Sequence, residues 1–285
     1  MATGSRRERF EREGWVAVPG LLDGAAVASL LRATDALCRE AAALASDGVV
    51  RGVDYRVQSR SGREGEPAAW PGALRKIAFP SKGQAAFLRL RSDPRILAVL
   101  AELGLSAPRC LVDQVNLKLP GVGTAFPFHQ DAPFLIQKTR EQLDRHGGVN
   151  CVVALDPSDA ENGTFEVLGR THEGGALAFD YDLSGTNEGV FDETHRTVLP
   201  LRPGDAVFFH PHLAHGSGPN RSDRPRRMVT LWFVGGEPDA PPRADRPGRK
   251  RRPSARRPTR SPGSGESRGG SGLSAAATRR RRSPP

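Results

Sequence analysis

Cysteine is scarce in this chain: Cys38, Cys110 and Cys151 are the whole supply. None forms a C-x-x-C pair and the number is odd, which argues against a disulfide framework and for a reducing compartment. Long apolar runs are also missing. No stretch approaches the roughly 18 apolar residues that a membrane-spanning helix needs. The N-terminal MATGSRRERFEREGW carries charge but lacks the apolar centre of a secretory signal. The expectation is a soluble, cytoplasmic protein. There is no internal repeat.

Acidic and aromatic residues nearly vanish after residue 240. From there on, fourteen Lys and Arg face only Asp245 and Glu266, a balance of +12. The whole chain carries +10, so residues 1–240 carry −2. The positive charge that first points to a nucleic-acid partner is therefore confined to a tail of Pro, Arg, Ser and Gly. Such a segment cannot bury enough surface to offset its chain entropy and is expected to be disordered. The expected organisation is one folded domain over residues 1–240 and a basic tail over 241–285.

Within the first 240 residues the hydrophobic period changes once. WVAVPGLL reads as a short strand ending in a Pro-Gly turn. Val27, Leu30, Leu31, Thr34 and Leu37 recur at three and four, the spacing of an amphipathic helix. Residues 46–75 are rich in Gly and charge and read as a long loop. Two shorter helical pieces follow, separated before Pro94 and ended by Gly104. From Cys110 onward the period is two. CLVDQVNLKL alternates, and NCVVALD, FEVL, DAVFF and VTLWFV are short strand-like runs separated by NG, PGD and GSGPN. A helical third followed by many strands predicts a mainly β fold, a sandwich or barrel with flanking helices.

The segment FPFHQDAPF places His129 and Asp131 two positions apart, on one face if the segment is extended. Imidazole and carboxylate together suit Fe(II), Mn or Zn. An isolated H-x-D is common by chance, and the plainer reading is that Asp131 merely orients His129. A third ligand is available in FFHPHLAHGSGPN, where His210, His212 and His215 all follow a hydrophobic strand and local physics does not choose among them. Two histidines and a carboxylate form the facial triad of non-haem Fe(II) oxygenases, with open positions for co-substrate and O₂. In RPRRMVTLWFV, Arg226 shares a strand face with Met228 and Thr230, while Arg227 faces the other way. An arginine on an inward face needs an anionic partner, and a bound carboxylate supplies one through a bidentate contact.

These segments carry a resemblance. Over roughly residues 8 to 235 the sequence resembles the phytanoyl-CoA dioxygenase family of Fe(II)/2-oxoglutarate oxygenases. FEREGWVAVPGLLDGAAVASLLRATDAL looks like the family's opening strand and helix, and FPFHQDAPF like its H-x-D segment. LDPSDAENGTFEVL is similar to its E-N-G stretch, and GDAVFFHPHLAHGSGPNRSDRPRR to its closing segment. The resemblance implies a double-stranded β-helix, a jelly-roll or cupin-like barrel. It places Fe(II) on His129, Asp131 and His215, and the far carboxylate of 2-oxoglutarate on Arg226. Lys118 and Gln114, on one face of the strand before H-x-D, are expected to meet 2-oxoglutarate or substrate; a solvated strand edge is the other reading of Lys118. Ser217 is expected to shape the turn after His215 and to reach the co-substrate. The implied activity is hydroxylation of a small-molecule or natural-product substrate, using O₂ and releasing succinate and CO₂. The retained carboxylate Asp131 distinguishes the site from related halogenases. Two departures, GRTH at 169–172 and Val152 in NCVVALD, fall in regions that shape the pocket. His172 and His195 lie in the long segment 169–200, read as lid or surface.

Two rival classes remain at this level. A Zn-dependent hydrolase or isomerase on a cupin-like barrel uses the same three ligands but leaves Arg226 and the E-N-G segment without a role. A nucleic-acid-binding protein would act through the tail as a weak, nonspecific polyanion contact, yet the tail has no aromatic residue to stack on bases. The tail boundary yields a direct prediction. Deleting residues 241–285 is expected to leave the melting temperature and turnover nearly unchanged and to remove any salt-sensitive binding to nucleic acid. A truncated chain that fails to fold, or keeps that binding, contradicts the boundary.

Overall fold

The computed structural model describes residues 4–58, 73–121, 123–176 and 191–237; the basic tail lies outside the described residues. In chain order the elements are α1 (Arg6–Glu13), β1 (Trp15–Val18), α2 (Gly24–Glu40), β2 (Gly48–Val50), β3 (Val53–Val57), β4 (Leu74–Ala78), α3 (Ala85–Leu90), α4 (Pro94–Glu102), β5 (Arg109–Lys118), β6 (Phe126–His129), α5 (Gln137–His146), β7 (Gly148–Ala154), β8 (Phe165–Leu168), β9 (Arg196–Leu199), β10 (Ala206–Phe209), β11 (His215–Ser217) and β12 (Arg226–Val234). No helix among the described residues is long and apolar enough to cross a membrane.

The helices start where side chains can accept the free N–H groups of their first turns. Ser5 and Glu8 form a reciprocal capping box on α1. Asp23 accepts from Ala26 N at 2.8 Å to open α2, and Asp93 caps α4 just before Pro94. The apolar stripe of α2, with Val27, Leu30 and Leu37, is buried.

Among the described residues all paired strands are antiparallel. An eight-stranded sheet runs β1-β10-β7-β12-β5-β4-β3-β2, and a four-stranded sheet runs β6-β11-β8-β9. Together they form the jelly-roll that the family resemblance implied, within the mainly β fold expected from the strand-rich pattern. The period of two decides what each face of the larger sheet does. Val149, Cys151 and Val153 of β7, Val115 and Leu117 of β5, and Val229, Leu231 and Phe233 of β12 pack with the helical layer around Leu30, Leu37 and Leu100. The alternate residues Val152, Ala154, Val207, Phe209 and Met228 join Phe165, Val167 and Leu199 of the smaller sheet in a second core between the sheets. The centre of the larger sheet is thus buried on both faces. That explains why NCVVALD reads as a continuous apolar run rather than an alternating one.

Two expectations are corrected. Residues 46–75 are not one long loop: β2 and β3 lie within them and β4 begins at Leu74, while 59–72 are outside the described residues. The alternation V-D-Y-R-V was present, and it buries Val53, Tyr55 and Val57; the surrounding charge and glycine masked it. In the segment 169–200, Arg196–Leu199 is a strand paired with β8. His195 is exposed and His172 is partly buried, its Nε2 3.1 Å from the Glu11 carbonyl; the remainder expected as a lid, 177–190, is outside the described residues.

The E-N-G segment has a structural role. Asn162 is fully buried, donates to the Pro157 carbonyl at 2.9 Å and accepts from Asp159 N at 2.9 Å. Gly163 then takes φ +74°, and a Cβ there would collide with the Gly218 carbonyl oxygen. Left-handed strain in a non-glycine residue costs about 1–3 kcal/mol. Gly163→Ala is therefore expected to lower the melting temperature by several degrees, read by calorimetry; an unchanged transition would show that the turn relaxes freely.

Candidate metal centre and anion pocket

His129 ends β6 and His215 begins β11, and the two are direct partners across the antiparallel pair. Their ring centroids are 4.4 Å apart. His129 Nδ1 lies 2.7 Å from the Pro127 carbonyl and His215 Nδ1 lies 2.9 Å from the Leu213 carbonyl. A carbonyl only accepts, so both rings carry their proton on Nδ1 and turn an Nε2 lone pair toward the shared space. Burial lowers both imidazoles to about 4, so they are neutral at physiological pH.

Asp131 completes the group by a route the sequence pattern did not anticipate. It is not in the strand. β6 stops at His129, and Asp131 sits in a helical backbone conformation at the start of a short 3₁₀ turn. Two backbone bonds hold that turn: Asp131 N and Ala132 N both donate to the Pro211 carbonyl at 3.0 Å. The carboxylate is positioned by Asn150 of β7, which donates to Oδ2 at 2.6 Å. Asn150 was missed at sequence level; the signal was a carboxamide in an otherwise apolar strand.

Asp131 Oδ1 lies 3.6 Å from His129 Nε2, and Oδ2 lies 3.7 Å from His215 Nε2. Those separations are too long for hydrogen bonds, and with neutral rings they are not ion pairs. One ligand atom from each residue lies within 4.8 Å of the other two. Three electron-rich atoms thus converge with no donor between them, an arrangement that a cation satisfies. The donor set of two imidazoles and one carboxylate fits Fe(II).

His210 and His212 stand apart from this cluster. His210 Nδ1 accepts from His212 N at 3.1 Å, its ring packs 6.3 Å from Phe10, and burial lowers it to about 3. The reason is topological: β10, ending at Phe209, belongs to the larger sheet, whereas His215 has crossed to the smaller sheet beside β6.

The cluster opens on a cavity of about 850 Å³. Phe126, Phe165, Phe209, Val152, Met228 and Trp232 give it apolar walls, and Gln114 and Ser217 also line it. Arg226 lines it too, 2% exposed. Its Nε is buried without a hydrogen-bond partner, and its one recorded bond is a long 3.5 Å contact from Nη1 to the Asn116 carbonyl. Among the described residues no carboxylate pairs with it. Burial pulls its pKa down to about 9, a measure of how unfavourable the unpaired cation is. Arg227, on the other face, is bound by Asp156 at 2.8 Å and Asp35 at 2.9 Å.

Lys118 is not among the residues lining the cavity. Its ammonium donates to the carbonyls of Ser217, at 3.2 Å, and Gly218, fixing the chain after β11. Burial first, then the nearby Arg226 and Arg75, lowers its pKa to about 6. Asn220 ties the same region, donating to the carbonyls of Lys118 at 3.1 Å and Arg224 at 2.7 Å. Of the two departures, Val152 lines the cavity. In GRTH, the Thr171 hydroxyl accepts from Ala214 N at 2.9 Å, bracing the residue before His215.

Comparison with known proteins agrees with this geometry. The methylphosphonate hydroxylase of Gimesia maris is 32% identical over 126 residues, covering 42% of this chain and 43% of that protein. The peroxisomal phytanoyl-CoA dioxygenase of Rattus norvegicus is 34% identical over 115 residues, 38% of this chain and 32% of that one. The chain therefore matches less than half the length of either relative. Among solved structures, EvdO2 from Micromonospora carbonacea var. aurantiaca, complexed with 2-oxoglutarate, superimposes with a TM-score of 0.58 at 25% identity, covering 81% of this chain and 90% of that one. The family profile Phytanoyl-CoA dioxygenase (PhyH) matches residues 10–228. That span runs from α1 into β12 and takes in the three converging ligands and Arg226, so this chain belongs to the phytanoyl-CoA dioxygenase family.

Proposed function

We propose that the chain is an Fe(II)- and 2-oxoglutarate-dependent oxygenase that hydroxylates a small molecule. The observation that carries this reading is the pairing, in one cavity, of three converging metal-ligand atoms with a buried arginine that lacks an anion. His129 Nε2, His215 Nε2 and the Asp131 carboxylate would hold the iron, and Arg226 would receive the far carboxylate of 2-oxoglutarate. Iron, 2-oxoglutarate and O₂ together supply the oxidising power, with succinate and CO₂ released. The chain's own residues do the rest. Nδ1–H bonds fix both imidazole rings, and Asn150 holds Asp131 against rotation. The aromatic walls exclude water, which strengthens every charge interaction inside. A Zn-dependent hydrolase would leave the unpaired Arg226 without a purpose. The free cysteines, Cys151 among them fully buried, support a reducing, cytoplasmic setting.

Metal binding should follow the geometry and the proton balance. Ala at His129, Asp131 or His215 is expected to abolish Fe(II) binding, whereas Ala at His210 or His212 leaves it. Burial raises Asp131 to about 6, while both histidines stay neutral down to about 4. As pH falls through 6, the metal must displace a proton from Asp131. Affinity should then drop by about tenfold per pH unit, one proton released per ion bound. Anaerobic titration across pH 5–8 reads both effects; a flat profile, or full binding by His215→Ala, would refute the assignment.

Arg226 should set the affinity for 2-oxoglutarate. Hydrogen bonds to charged groups contribute about 1.5–3 kcal/mol, or about ten- to a hundredfold in affinity. Arg226→Ala is expected to raise the apparent constant by that order with Fe(II) binding intact, and Arg226→Lys to recover part, since a point charge cannot form the fork. Arg227→Ala should instead lower stability, because it frees Asp156 and Asp35, and leave the constant alone. Succinate formation against 2-oxoglutarate concentration separates these outcomes, and equal curves for wild type and Arg226→Ala would exclude this role.

A further inference from the structure

Besides Arg226, the cavity is lined by cations that the proposed reaction does not use. β4 pairs with β3 so that Arg56 faces Lys76 and Val57 faces Leu74, which leaves Arg75 as an extra residue at a bulge. Leu74 and Ile77 on either side belong to the helix-side core. The bulge instead brings two consecutive residues, Arg75 and Lys76, to the cavity. Bulges near active sites characteristically re-aim a side chain in this way. The Arg75 guanidinium lies 4.3 Å from the centroid of the Phe126 ring, and its Nε is buried without a partner. Among the described residues no carboxylate lies within ion-pair distance of Arg75 or Lys76. Asp47, the acid that acts on Arg75, is engaged by Arg56 at 3.1 Å and by Val57 N at 2.8 Å, while Lys76 feels Asp131 and Asp54.

A charge count shows what is missing. Among the described residues, the cavity is lined by four cations, Arg56, Arg75, Lys76 and Arg226, and two carboxylates, Asp47 and Asp131, a difference of +2. Asp54, which binds Arg56 at 2.8 Å from just outside, reduces the excess to +1. A divalent metal and dianionic 2-oxoglutarate cancel one another and leave this excess unchanged. Unpaired charge in a walled cavity is unfavourable, so the remaining occupant should be the one that neutralises it.

We infer that the primary substrate is an anion, whose carboxylate, phosphonate or phosphate group is received by Arg75 on the β4 wall, with Lys76 beside it. This rests on the oxygenase reading and narrows its substrate class. Planar guanidinium suits such oxyanions, and its place over the Phe126 ring supports it there. The group would anchor the substrate; the position to be oxidised lies elsewhere on the molecule.

The test uses the full chain loaded with Zn(II) and 2-oxoglutarate, which binds without turnover. Matched pairs of probes are titrated by calorimetry at fixed salt: straight-chain and aryl carboxylates against their amides, and the corresponding phosphonates and phosphate monoesters against their neutral esters. Acids are expected to bind and neutral isosteres not to, and the three acid arms show which oxyanion the wall prefers. Arg75→Gln should weaken the acids about ten- to a hundredfold, with Arg75→Lys intermediate. The affinity of both variants for 2-oxoglutarate should stay within about twofold of wild type. Because an unpaired, partly buried charge is removed, Arg75→Gln without ligands should melt no lower than wild type. The inference is overturned if neutral probes bind as well as acids, if Arg75→Gln leaves acid binding intact, if its loss falls on 2-oxoglutarate, if the variant unfolds, or if no acid binds while 2-oxoglutarate does. Failure of wild type to bind 2-oxoglutarate would count against the oxygenase reading instead, with the acid arms still reporting on Arg75.

Discussion

The direct opposition of His129 and His215 across β6 and β11 is the constraint on which the site depends. Side chains directly opposed in an antiparallel pair lie close enough to interact. Two imidazoles placed there, each with its proton turned back onto its own backbone, leave their lone pairs facing the same space. The third ligand has to arrive from outside the strand, because the chain must turn before Asp131 can face both rings. The Pro211 carbonyl and the Asn150 amide make that turn rigid. A register slip of one residue in this short pair would put the two rings on opposite faces. The buried contacts around β8 and β11, including Gly163 against Gly218, oppose such a slip.

Much of this was legible in the sequence, for reasons that differ from residue to residue. The parity of β12 was readable, since Arg226 must share a face with Met228 and Thr230 and oppose Arg227, and the structure places them so. The convergence of His129 and Asp131 was expected from strand periodicity, but the geometry comes from a turn; the spacing was informative and its explanation was not. The choice among His210, His212 and His215 could not be made locally. It depends on which histidine has crossed between sheets, a property of topology and not of a window of residues. Asn150 and Arg75 escaped notice because one is a lone carboxamide at the head of an apolar run and the other sits at the edge of a glycine- and charge-rich stretch. What distinguishes each is a tertiary neighbour.

Burial organises the electrostatics. Both imidazoles are held neutral, Asp131 is held more reluctantly ionised than a free carboxylate, and Arg226 more reluctantly charged than a free guanidinium. Each shift has desolvation as its first cause, and for Asp131 and Arg226 it marks an unmet demand for a counter-charge. Lys118 shows the contrasting case. It is as deeply buried as Arg226, but its donors are given to main-chain carbonyls and it braces the fold.

The separation of the two faces of β12 bears on how such a protein diversifies. Val229, Leu231 and Phe233 secure the strand to the helical layer, whereas Met228, Thr230 and Trp232 look into the cavity. Because neighbouring residues answer to different surroundings, substitutions at the even-numbered positions can reshape the chamber while the odd-numbered ones keep the scaffold intact. Selection for a new molecule and selection for foldedness then act on separate sets of codons, and a lineage can explore chemistry along this strand without first risking collapse.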